Sequence, residues 1–524
     1  MAKQRPKAVQ ESNERDSVRN LRTVMDNQEG SVLEDGGEWA SIEMTGSDLP
    51  DDRYIVSAAR NAHRLASHCG ESFSAACGPD GRQAASRLFH DERLTVQGLL
   101  HGHFLKTAER CQQHKVVIVA DDTSAYNYTT HRVLMGLGNI GDRVGAKGLF
   151  GHAALAMTPG RLPLGLLDLQ LWAREADEHG KAKNRRQRRF EEKESVKWLR
   201  SLQSVEKYLP KDQEAYIVTD RESDIFAYIA APRRITTHLI VRACQPRNVE
   251  VVTEYGQDAE EVKGKLFDVR ADAPEVSTLE VTVGRKPGQK ERKARVSVRA
   301  TEVYLLPPVH LQEGESSAKQ KVTVIWAIEK DPPANVGPDE VVDWTLLSTD
   351  DLGQIPEERG AKACTLLYYY SLRWEIERLH YTLKSGCNVE KLQIEPLSAL
   401  MNALAFYHMV AWRVLRLTHL DRQAPDTPVE TEFSPDEVAA LSGLARKPVK
   451  TVAQAMPIIA KLAGHEAYRS GPLPGVKRIW LGRGRPFTGS WLLTALVRRL
   501  PLLSTVLAAI DRQGAVAVPL FGPL

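Results

Sequence analysis

The chain has 524 residues, of which 42% are hydrophobic and 26% charged, with a net charge of +3. That length allows a large core in about two to four domains, and a charge this close to balance identifies no partner by itself. Six scattered cysteines without a CxxC pair, no apolar run of 18 residues and no signal peptide at the N-terminus argue against a structural zinc site, a membrane span and export. The expectation is a soluble, cytoplasmic protein.

In chain order, residues 1–35 are polar, mixed in charge and poor in aliphatics, and are expected to form a disordered arm. Residues 36–112 carry helical patterns broken by turn residues, which reads as a small helical domain. KVVIVADD (115–122) is a buried-type strand ending in acids, followed by two strands, GHAALAMTP and LPLGLLDLQLWAR, around a Pro-Gly turn. EEKESVKWLRSLQSVEKYL (191–209) reads as a helix, AYIVTD (215–220) as a second buried strand ending in Asp, SDIFAYIAA (223–231) as a short helix and THLIVRA (237–243) as another strand. Segments alternating with the strand period then fill about 246–348, an antiparallel β insertion. Helices resume at 357, and residues 421–524 read as a mostly helical tail. The order is that of an α/β core, 113–420, interrupted by a β module.

Several features could carry chemistry. Open α/β sheets place ligand sites at the carboxyl ends of their strands, where Asp121, Asp122 and Asp220 fall. Carboxylates meeting there would repel unless a cation lay between them, and hard oxygen donors suit Mg²⁺ or Mn²⁺; strand-end caps are the plainer alternative. The stretch YYYSLRWEIERLHYTLKS (368–385) supplies a third acid. At about 100° per residue, Leu372, Ile376, Leu379 and Leu383 share one stripe, and Tyr370, Arg373, Glu377 and Lys384 share a neighbouring edge. That edge suits a metal-bound phosphodiester, or simply an ion-paired helix surface. Two basic runs, Lys181–Lys197 and Arg285–Arg299, are candidate phosphate contacts. GLGNIG (136–141) matches a dinucleotide-binding pattern but lacks the strand before it and the helix after it, and the histidines lack metal-ligand spacing.

The edge residues form Y-x2-R-x3-E-x6-K through Tyr370, Arg373, Glu377 and Lys384, which resembles the signature of the insertion-sequence-four family of DDE transposases. ADDTSAYNYTTH (120–131) resembles the box around that family's first Asp, with Asp122 in the catalytic register, and DRESDI (220–225) the sequence at its second. EEKESVKWL (191–199), VDWTLLST (342–349) and AACGPDGRQAASRLF (75–89) extend the likeness from about Trp39 to about Gly484.

The resemblance implies an RNase H-like catalytic core interrupted by the β insertion, a helical N-terminal domain on transposon-end DNA and a C-terminal dimerisation region. It implies cut-and-paste transposition with two divalent ions, Mg²⁺ or in its place Mn²⁺, held by Asp122, Asp220 and Glu377. The steps are nicking, hairpin formation, hairpin opening and strand transfer. Tyr370, Arg373 and Lys384 would hold phosphates, and Trp344 would stack a base flipped from the hairpin, with support from Trp374. Arg242 aligns with an active-site arginine. The implied partners are double-stranded DNA, at terminal inverted repeats and at the target, and a second copy of the chain, the protein being nucleoid-associated when bound. Ser124, Ser86 and Tyr381 depart from the usual residues, and at Tyr381 the resemblance does not carry over one phosphate contact of the family. Against this stand two other classes: a DNA-binding regulator without catalysis, and a host nuclease without end specificity.

Overall fold

The computed structural model describes residues 38–462, apart from 68–72, 142–144, 175–189, 252–262, 284–291, 310–315, 335, 338–340 and 354. The expected arm at 1–35 and the tail beyond 462 lie outside the described residues.

Four helices come first: α1 (Glu38–Met44), α2 (Asp52–Ser67), α3 (Phe73–Phe89), kinked at Gly78, and α4 (Val96–Cys111). The Thr95 side chain starts α4 by accepting the Gly98 N–H. The chain then enters a mixed sheet through β1 (Val116–Asn127), β2 (Gly138–Asn139), β3 (Lys147–Met157) and β4 (Pro163–Trp172). Helix α5 (Val196–Tyr208) leads to β5 (Glu214–Thr219), and the short α6 (Phe226–Ile229) leads to β6 (Thr237–Arg242). β3 runs antiparallel to both β1 and β4, whereas β1, β5 and β6 are mutually parallel. The core order is therefore β4-β3-β1-β5-β6.

The expected β insertion comprises β7 (Asn248–Val251), β8 (Lys263–Lys265), helix α7 (Leu266–Asp272), β9 (Glu275–Val283), β10 (Arg292–Leu305), β11 (Gln320–Lys330) and β12 (Asp343–Ser348). Its pairings are antiparallel. Instead of a separate module, it continues the core sheet, because β12 pairs with β6 and sets Leu346 opposite Arg242. The structure thus joins α helices to one large mixed sheet.

Period-two alternation divides the core residues between two faces. Val117, Val119, Ala215 and Ile217 face α5 and α6, with Trp198, Leu202 and Tyr228 in the same apolar cluster. Ile118, Ala120, Tyr216 and Val218 face the opposite way, into a cluster that includes Ile376, Leu379 and Leu404. After α8 (Pro356–Ser371), Ile376 and Leu379 belong to α9 (Trp374–Tyr381) and Leu404 to α10 (Leu397–Gln423), and α11 (Pro435–Ala445) and α12 (Val452–Leu462) follow. Helix α10 is apolar around most of its circumference and is buried accordingly.

The N-terminal helices lock onto this frame through α4 and β4. Gly165 in β4 has φ +151°, and a Cβ there would lie 1.9 Å from Thr107 Oγ1, so only glycine lets the strand approach the helix this closely. Beside it, the Leu166 N–H donates to His103 Nε2 at 3.0 Å, which leaves Nδ1 as the donor to Glu43 at 2.5 Å. Arg110 bridges to the same Glu43 at 2.7 Å. All the charge buried at this seam is paired.

Two sequence expectations are corrected. β1 does not stop at its acids but runs on to Asn127, because Asp122–Asn127 keeps its ladder to β3 although TSAYN carries little aliphatic signal. Residues 368–385 do not form one straight helix. α8 ends at Ser371, α9 begins at Trp374, and Thr382–Gly386 forms a π turn.

Candidate active site

The parallel ladder between β1 and β5 aligns Val116 with Glu214 and Ala120 with Val218. Two residues further, the same register brings Asp122 abreast of Asp220, just past the end of β5. Asp220 caps the turn that follows by accepting the Glu222 N–H at 2.8 Å. Even-numbered residues of both strands face α9 and α10, so Asp122 and Asp220 emerge on one side at the carboxyl edge of the parallel strands.

Asp121 points the other way. It is fully buried on the α5 face, where His152 Nε2 lies 2.9 Å from its carboxylate and the His152 Nδ1 side contacts Thr123 Oγ1 at 2.9 Å. The ring of Trp198 packs edge-on against His152. Of the two adjacent aspartates, only Asp122 stands with the other candidate acids.

Glu377 comes to this site from α9. The expected aliphatic stripe anchors it: Leu372, Ile376, Leu379 and Leu383 are all buried. Arg373, at the break before α9, lies between two acids, with Nη1 3.5 Å from Asp122 Oδ2 and Nη2 3.3 Å from Glu377 Oε1. Its Nη1 makes no hydrogen bond within the described structure. His380 Nε2 approaches the same Asp122 oxygen, at 3.7 Å.

The charges behave as a coupled set. Burial pushes the Asp122 carboxyl up to about 7; Arg373 opposes this, and Glu377 and Asp220 add to it. Burial also raises Asp220. Burial works against the charge on Arg373, but Asp122, Tyr370, Glu377 and Asp220 outweigh it. Like charges are thus gathered around a single guanidinium. Among the described residues no group of three or more His, Cys, Asp or Glu side chains is placed so as to hold a metal ion. The donors themselves fit a hard divalent cation: carboxylate oxygens, too few positive partners and a raised Asp122.

The candidate DNA contacts border the acids. Tyr370 is buried, and burial raises its hydroxyl against the pull of Arg373 and Arg242. Trp344, at the start of β12, meets the Tyr370 ring edge-on at 5.7 Å, and the Arg242 guanidinium lies 6.0 Å from its ring centre. Half-buried rather than a core residue, Trp344 offers a ring surface beside the site. Trp374 is 67% exposed, with Arg373 5.9 Å from its ring centre. Lys384, in the π turn, extends over Tyr126 at 5.7 Å, and Tyr381 is exposed. π turns inside helices frequently accompany functional sites.

The basic runs give less. In the first, 181–189 lies outside the described residues, and Lys197 pairs with Glu222 at 3.1 Å. In the second, 285–291 lies outside, and Arg292, Lys293 and Arg295 pair with Glu329, Glu280 and Asp331. Arg299 donates to the Ala271 and Ala273 carbonyls. Its described part is cross-strand pairing, not a free phosphate surface. GLGNIG contributes only β2, on the edge of β3. Sequence reasoning missed His380, whose only signal was its position three residues after Glu377.

No protein-family model matches the sequence. Among solved structures, a cryo-EM structure of a piggyBac transposase synaptic complex with hairpin DNA aligns over 92% of this chain and 82% of its own, at 9% identity and a TM-score of 0.31. A likeness this slight carries over neither fold nor activity. Among the described residues no helix is long and apolar enough to cross a membrane.

Proposed function

We propose that this chain is a cut-and-paste DNA transposase of the DDE type, with Asp122, Asp220 and Glu377 as its metal-ligating catalytic acids. The observation that carries the reading is the meeting of three acids from distant parts of the chain. Two stand abreast at the carboxyl edge of parallel strands, and Glu377 joins them through the guanidinium of Arg373. The order β4-β3-β1-β5-β6, antiparallel and then parallel, supports an RNase H-like core. The motif spacings support the transposase over a nuclease of other purpose.

When bound, two Mg²⁺ ions, or Mn²⁺ in their place, supply Lewis-acid activation of the attacking oxygen and charge neutralisation at the phosphate. Asp122, Asp220 and Glu377 would hold them. Arg373, which balances Asp122 and Glu377 in the free protein, turns its unbonded Nη1 to a phosphate oxygen of the scissile strand. Lys384 and Tyr370 fix neighbouring phosphates. The indole of Trp344 takes the stacking that a base loses in a tight hairpin, with Arg242 behind it and Trp374 on the outer rim. Nicking, hairpin formation, hairpin opening and strand transfer are each an attack of water or a 3′-OH on a phosphodiester, so one set of side chains serves all four. The partners in this reading are transposon-end and target DNA and a second copy of the chain in the synaptic complex.

The test is incubation of the protein with labelled DNA carrying the inverted repeats that flank its gene, with Mg²⁺, with Mn²⁺ and with chelator. The expected result is a metal-dependent nick at the repeat end followed by a hairpin. Binding without any nick would leave a DNA-binding regulator, and cutting without end specificity a nuclease.

A further inference from the structure

We propose that His380 supplies a nitrogen ligand, through Nε2, to the cation held by Asp122, and that it biases the site toward transition-metal ions such as Mn²⁺ over Mg²⁺. This rests on the metal-dependent reading above and adds a residue and a metal preference to it.

His380 lies one turn after Glu377 in α9, so both side chains project toward the same side of the helix. Its side chain is 7% exposed, and neither ring nitrogen makes a hydrogen bond within the described structure. A buried imidazole left this way costs free energy unless something else meets it. The neighbouring histidines are not left so. His408 contacts Tyr126 Oη at 2.9 Å and the Leu404 carbonyl at 2.7 Å, and His152 contacts Thr123 Oγ1 through Nδ1, with only its Nε2, beside Asp121, lacking a hydrogen bond.

The Nε2 to Asp122 Oδ2 distance, 3.7 Å, is too long for a hydrogen bond. It suits two donors sharing an ion. With each donor about 2.1 Å from the metal, their separation runs from about 3.0 Å at right angles to about 4.2 Å in line. A neutral imidazole carries a lone pair on one ring nitrogen, which a cation can take. A neutral nitrogen donor favours transition-metal ions, whereas Mg²⁺ prefers oxygen throughout.

The test uses the full chain with histidine labelled with ¹⁵N, titrated with Mn²⁺ and followed by pulsed electron paramagnetic resonance. The account predicts coupling from a directly bonded imidazole nitrogen in the wild type, with no substitution needed. His380→Ala should lose that coupling and bind Mn²⁺ about tenfold more weakly, while Mg²⁺ affinity, read by competition, changes less than about threefold. A thermal midpoint for the variant separates this from misfolding. If Mn²⁺ binds and Asp122→Asn abolishes binding, yet no nitrogen coupling is seen, His380 is not a ligand and the transposase reading stands. If the wild type binds no Mn²⁺ even at millimolar concentration, the metal site itself fails, and the functional reading with it.

Discussion

Asp121 and Asp122 are neighbours in one strand, and they face opposite sides of the same sheet. On the α5 side Asp121 is sealed in, matched by His152 and walled by Trp198. On the α9 side Asp122 meets Glu377 and Asp220, and a single arginine balances the set. The first acid has a histidine beside it, and the second has other acids. Asp121 faces a histidine at ion-pair distance, whereas Asp122 is crowded with like charge, which makes the Asp122 side the candidate working face.

This contrast can be broken in several places. The largest effect is expected at Glu377: Glu377→Ala should lower metal-dependent nicking by about a thousandfold or more while end-DNA affinity, read by gel shift, changes only a few-fold. Next comes Asp121→Ala, which strands His152 in the core and should cost about 3 kcal/mol in denaturant unfolding while the folded fraction still cuts DNA.

Asp122→Asn should do the reverse in chelator-treated protein. An acid raised from 3.8 to about 7 on folding keeps its proton across that window while the unfolded chain has lost it, so its contribution to stability falls as pH rises from about 4 to about 7. At about 1.4 kcal/mol per pH unit the ceiling is about 4 kcal/mol, and local relaxation leaves about 1–3. The variant's thermal midpoint should therefore exceed the wild type's at pH 8, and the gain should vanish near pH 4. Equal midpoints at pH 8 would mean that burial and the neighbouring acids do not raise Asp122. The smallest effect is at Trp344: Trp344→Ala should slow hairpin formation about tenfold more than the first nick, about 1.4 kcal/mol, and equal losses would point to misfolding.

Much of this was legible in the sequence where the signal is local. The β-branched runs at KVVIV and YIV gave the parallel strands, and the period of Leu372, Ile376, Leu379 and Leu383 gave the anchor for Glu377. What was not legible depends on pairing between distant segments. TSAYN carries little strand signal and joins β1 only because β3 lies alongside, and the β insertion extends the core sheet only because β12 meets β6. A straight helical wheel placed Tyr370 on one edge with Arg373, beside the aliphatic stripe; the break at Leu372–Arg373, which the wheel could not show, leaves Tyr370 buried against Trp344. His380 escaped notice because its importance lies in lacking a partner, which only coordinates can show.

The most direct test sets the two aspartates against each other: nicking rates of Asp121→Asn and Asp122→Asn on the same labelled end DNA with Mg²⁺, each corrected for folded fraction. The account predicts loss of about a thousandfold or more for Asp122→Asn and less than about tenfold for Asp121→Asn. Cutting that survives Asp122→Asn and disappears with Asp121→Asn would put the chemistry on the other face of the sheet and contradict the assignment.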